Sequence, residues 1–62
     1  MCETNAYIRA GGIDEVLLES VARIEVAGEM LRITGIFGDR KEVRGRIVEV
    51  NFQGGRVLIE LL

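Results

Sequence analysis

The chain has 62 residues, eight Lys and Arg against ten Asp and Glu for a formal charge of −2, and a hydrophobic content of 48%. A domain of this size buries only about 60% of its unfolded surface. With one cysteine, no histidine and no proline, neither disulfides nor a Cys/His zinc site can supplement so small a core, which leaves self-association, and a homodimer is expected.

Met1-Cys2-Glu3 opens the chain and carries its one cysteine. The thiolate lies within one residue of the free amine and of backbone amides, which makes the tripeptide a chelate by covalent geometry. With Met1 present, the Met1 amine, the Cys2 amide nitrogen and the Cys2 sulfur close two fused five-membered rings on one ion. If an aminopeptidase removes Met1, the Cys2 amine, its sulfur and the Glu3 amide nitrogen close two equivalent rings. Two nitrogens and a sulfur held at right-angled bites suit square-planar Ni(II) or Cu(II) better than tetrahedral zinc. The candidate metal residues are therefore Met1, Cys2 and Glu3. Binding would expel protons from amine and thiol, so affinity should climb with pH. Against this stands the commoner role of a lone cysteine, a small apolar residue tucked under a strand or an inert terminus; sequence chemistry by itself leaves that reading open.

Beyond the tripeptide, glycines at Gly11-Gly12, Gly28, Gly38 and Gly54-Gly55 separate short segments rich in β-branched residues, the pattern of short strands joined by tight turns. Residues 4–9 alternate, with Ala6 and Ile8 on one face and Tyr7 and Arg9 on the other. Residues 13–21 also fit a helical stripe through Ile13, Val16, Leu17 and Val21, but a strand over 15–19 is the assignment. In residues 22–27, Ala22, Ile24 and Val26 face inward, and Ala27-Gly28-Glu29 makes a hairpin into a strand with Leu31, Ile33, Gly35 and Phe37 inward. Met30 and Ile36 make its outer face more apolar than solvent requires. The longest run, 41–52, changes phase: Val43 and Ile47 share one face while Val48, Val50 and Phe52 lie on the other. The strand therefore bends at Gly45 or near Ile47, or buries both faces. After a reversal at 51–55, the last strand has Val57, Ile59 and Leu61 on one side and Leu58 and Leu62 on the other, a two-sided apolar character that calls for a covering partner. Either Leu58 with Leu62 or Met30 with Ile36 is the expected dimer face. Six short antiparallel strands, one strongly bent, imply an all-β fold closed into a small barrel, a single domain over 1–62.

Other constellations read as scaffold. The basic cluster Arg40, Lys41, Arg44 and Arg46 could track phosphates, which motivates an Sm-like RNA-binding module as the alternative function, yet Asp39, Glu42 and Glu49 interleave with it. Three aromatics, Tyr7, Phe37 and Phe52, make a thin stacking platform, so nucleic acid is disfavoured. The glycine pairs lack a following Lys-Ser/Thr and are turns rather than phosphate loops. Glu3, Asp14, Glu15 and Glu19 have no histidine to work with, and Cys2 has no activating base, so an enzyme is not expected. No apolar run approaches the roughly 18 residues of a membrane span, and no basic segment precedes a hydrophobic one as in a secretion signal; a cytoplasmic protein is expected.

Taken together, Met1-Cys2-Glu3, the stretch Glu15-Val16-Leu17-Leu18-Glu19-Ser20-Val21, the segment Ile36-Phe37-Gly38 and the run Lys41-Glu42-Val43-Arg44-Gly45-Arg46-Ile47 resemble the CooT family of small nickel-binding proteins over nearly the full length. The resemblance implies an accessory protein in nickel delivery to carbon monoxide dehydrogenase as client enzyme, an SH3-like or Sm-like β-barrel, a homodimer, and Cys2 as the essential Ni(II) ligand. One ion shared by two Cys2 thiolates and one ion per chain are both compatible with it.

Overall fold

A computed structural model describes residues 3–62, so Met1 and Cys2 lie outside the described residues. Six strands are formed: β1 (Asn5–Ala10), β2 (Ile13–Leu18), β3 (Val21–Ala27), β4 (Met30–Gly35), β5 (Arg40–Asn51) and β6 (Arg56–Leu61). Among the described residues there is no helix, hence none long and apolar enough to cross a membrane. The segment with a competing helical stripe is β2, because its backbone pairs with β1 from Ala10↔Ile13 to Ala6↔Leu18 across the Gly11-Gly12 turn.

All six strands join one sheet in the order β2-β1-β6-β5-β4-β3. Two features differ from the expected antiparallel barrel. First, β1 and β6 run parallel, with Ala6 opposite Val57 and Ile8 opposite Ile59. Four intervening strands give the chain ample length to bring its last strand alongside its first in the same direction, which a short hairpin cannot do. Second, the sheet is not closed into a barrel: β2 and β3 end the strand order without pairing to each other. Their connection turns at Ser20, whose φ of 55° lies in the left-handed region. Beyond this corner the Val21 amide donates to the Thr4 carbonyl at 2.7 Å, so β3 is hooked to the segment before β1 instead of laddering with β2.

The longest strand holds the halves of the sheet together. Residues Arg40 to Arg44 of β5 pair with β4, and Gly45 to Asn51 pair with β6. At the handover the Gly45 amide donates to the Glu29 carbonyl at 2.9 Å and the Leu62 amide to the Arg44 carbonyl at 3.1 Å. A Cβ on Gly45 would stand 2.5 Å from the Glu60 carbonyl oxygen, so only glycine allows the approach of β6 there. A bulge between Ile47 and Glu49 adds a second bend. The phase change in the sequence thus records both a change of partner and a bulge.

The core consists of Ala6, Leu18, Leu31, Ile33, Val57 and Ile59, with Leu17, Val21, Ile24, Val43 and Ile47 packed half-buried around it. Some expected placements do not hold. Phe37, assigned inward, is 86% exposed: the strand ends at Gly35, whose amide donates to the Asp39 carbonyl and whose carbonyl accepts from Gly38, and this turn lifts Ile36 and Phe37 out of the alternation. Ala22 and Val26 are exposed although Ile24 between them packs on the core: Ala22 falls at the register shift between Val21 and Arg23, and Val26 lies near the end of β3, an edge strand. Leu58, a candidate for the dimer face, is buried within its own chain at 3% exposure, in register with Tyr7 of β1 and Glu49 of β5. Leu62, Met30 and Ile36 are exposed.

One surface of β3, β4 and β5 is a ladder of charges. Glu25, Arg32 and Glu42 stand opposite one another in register, with Arg32 at 3.9 Å from Glu25 and 3.6 Å from Glu42, and Arg23 at 3.2 Å from Glu25. Exposed pairs of this kind contribute about 0–1 kcal/mol. Arg32→Ala is therefore expected to lower unfolding free energy by no more than about 1 kcal/mol, with the difference shrinking in concentrated salt. Urea unfolding at low and high salt measures both; a larger, salt-independent loss would mean that the arginine stem packs rather than pairs.

Candidate metal-binding arm

Of the three residues assigned to the metal, Met1 and Cys2 lie outside the described residues, and Glu3 is exposed just before β1. What the structure defines is how the chain leaving that tripeptide is held. The Thr4 carbonyl accepts from the Val21 amide at 2.7 Å, and the Asn5 amide donates to the Gly55 carbonyl at 2.8 Å. The Asn5 side-chain oxygen Oδ1 accepts from the Ser20 amide at 3.0 Å. Three parts of the fold converge here: the start of β3, the corner before it, and the turn between β5 and β6.

Each contact has a local cause. Asparagine is short enough for its carboxamide to reach a neighbouring backbone amide from the first residue of a strand. The β5–β6 turn is shaped by the Gly54 amide donating to Asn51 Oδ1 at 2.9 Å. Gly55 is buried with φ 62°, and any Cβ there would overlap the Glu3 carbonyl oxygen. Glycine is therefore required twice over, by the left-handed backbone and by the chain lying against it. Asn5, Ser20 and Gly55 were not singled out from the sequence as site residues. Gly54-Gly55 signalled a turn, but its contact with residue 3 spans most of the chain and leaves no local trace.

The other candidate clusters are structural. Among the described residues no three His, Cys, Asp or Glu side chains are grouped to hold an ion, and no pocket is formed. Asp14 is engaged by Arg9 at 3.1 Å and by the Arg56 guanidinium, which also lies 4.7 Å from the centre of the Tyr7 ring; this cluster ties β1, β2 and β6 together. Within the basic cluster, Arg44 stands opposite Met30 in β4 and Arg46 opposite Glu60 in β6. Arg46 meets Glu60 at 3.1 Å. The handover at Gly45 thus divides the two arginines between different partner strands, and one of them is matched by a carboxylate.

Comparison with known proteins agrees with the span of the fold. The family model for CooT, described as CO dehydrogenase accessory protein CooT, matches residues 1–60. An uncharacterized protein of Archaeoglobus fulgidus is 44% identical over 43 residues, 69% of this chain and 96% of that one. Another from Methanothermobacter thermautotrophicus is 35% identical over 60 residues, covering 97% and 89% of the two chains. Among solved structures, the crystal structure of a protein assigned as CooT from Carboxydothermus hydrogenoformans superposes with a TM-score of 0.90 at 33% identity, covering 98% of each chain.

Proposed function

The chain belongs to the CooT family, whose namesake is an accessory protein of CO dehydrogenase and not itself an enzyme, and from that premise we propose that it is a nickel metallochaperone, taking up Ni(II) as cargo at its N-terminal arm and passing it to that client. Cys2 supplies the thiolate, and the Met1 amine with the Cys2 amide, or the Cys2 amine with the Glu3 amide, supplies the nitrogens. The observation that carries this reading is that the family match begins at residue 1, so it includes the one thiol the chain has, while Glu3 beside it is exposed. A terminal site suits a carrier, because its ligands can be exchanged one at a time as an acceptor approaches. The working unit of this proposal is a cytoplasmic homodimer of a single all-β domain over residues 1–62. Leu62 at 67% exposure and Phe37 and Phe52 at 86% and 87% are apolar surface that a second subunit could cover.

The test is a calorimetric nickel titration at several pH values, with zinc as comparator. Tight nickel uptake is expected, stronger than zinc, with proton release and affinity rising with pH, since the amine, the thiol and the coordinating amide must all lose protons. Acetylating the N-terminus should weaken binding by removing the amine; unchanged affinity would take the amine out of the ligand set. Absence of tight nickel uptake by the free chain sinks the proposal.

A further inference from the structure

Resting on the nickel reading above, we infer that Asn5 is a positioning residue for the metal-binding arm, gripping with Gly55 the chain at the point where the ligand-bearing tripeptide leaves the sheet. A strand's first residue is ordinarily where a sheet frays. Here that residue and the one before it are tied three ways, to Val21, Ser20 and Gly55, and the Glu3 carbonyl lies against a glycine that no other residue could replace without overlap. The sheet does not need the tie to Ser20, because Asn5 is already in register with Arg56 in the β1–β6 ladder. A chelating arm does need it. Ligands on freely rotating backbone must be ordered when the ion binds, at a cost of roughly tenfold in affinity for each residue so ordered. Residues held beforehand avoid that cost.

Of the three hydrogen bonds, the one to Ser20 is made by a side chain, so it can be removed without touching the backbone. The test compares Asn5→Ala with Asn5→Asp, whose carboxylate can still accept from the Ser20 amide. Nickel affinity is read by competition with a chelator, release by the rate of transfer to excess chelator, and the thiolate-to-nickel absorption band reports the ligand set. Asn5→Ala is expected to bind nickel roughly tenfold more weakly and release it correspondingly faster, with the band unmoved because the ligands are the same; Asn5→Asp should recover most of the affinity. Should the alanine variant not fold, Asn5→Leu, with the same branching at Cγ but without an acceptor, carries the comparison. Alanine binding within about twofold of wild type, or aspartate as weak as alanine, overturns the inference. These results are separable from failure of the nickel reading: a wild-type chain that binds no nickel overturns both, whereas a chain that binds through Cys2 but ignores Asn5 overturns this one alone.

Discussion

Replacing Cys2 by serine is expected to abolish tight nickel binding. A full set of ligands at a structural zinc site is worth roughly 10–16 kcal/mol, so one strong ligand of four corresponds to about 3 kcal/mol, or on the order of a hundredfold in affinity. The thiolate should be worth at least that, because it is the soft ligand of the set and serine stays protonated where a thiol ionises. No histidine is available in the chain to take its place, and no other cluster of metal-binding side chains exists among the described residues. Calorimetry with wild type and Cys2→Ser at matched pH measures the loss, and the thiolate-to-nickel absorption band should vanish with it. A serine variant that kept wild-type affinity would refute the assignment of the sulfur. Thermal unfolding of the metal-free variant should be unchanged, which separates a lost ligand from a damaged fold.

Gly55→Ala is expected to be the most damaging of the conservative substitutions in the turns. The left-handed conformation alone costs a residue with a Cβ about 1–2 kcal/mol. Here the new methyl also meets a backbone carbonyl, that of Glu3, which cannot swing aside as a flexible side chain would. Forced overpacking of this kind adds about 1–3 kcal/mol. A chain of this length holds only about 3–9 kcal/mol in total, so the melting temperature should fall by roughly 10 °C or more. Circular dichroism of the metal-free protein measures it. A drop of only a few degrees would mean that residues 3 and 4 yield freely and that the arm is not gripped as the hydrogen bonds to Gly55 and Val21 indicate.

Several parts of this arrangement are legible in single residues. The alternation through Leu31 and Ile33 and through Val57 and Ile59 marked the buried faces of β4 and β6, and all four side chains are buried. Gly45 and the slip after Ile47 marked a bend that proved to be a change of partner strand and a bulge. Phe37 was misplaced because alternation was carried past the residue at which the strand ends; the Gly35–Asp39 hydrogen bond that ends it is made by backbone groups. Leu58 was misplaced for a different reason: it does lie opposite the Val57 and Ile59 side of β6, but Tyr7 on the neighbouring strand stands in register with it, and nothing local to residue 58 announces that neighbour.

The sequence by itself determined the all-β class, the number of strands and most of the core, because periodicity and turn glycines are properties of residues adjacent in the chain. Only the tertiary structure decided the order of the strands, the parallel pairing of the first with the last, the open edges at β2 and β3, and the hold on residues 3–5. Those features rest chiefly on hydrogen bonds between backbone groups that every residue possesses, formed across separations of 17 to 50 positions as between Thr4 and Val21 or Asn5 and Gly55, and a group common to all residues leaves no mark of its partner in the sequence.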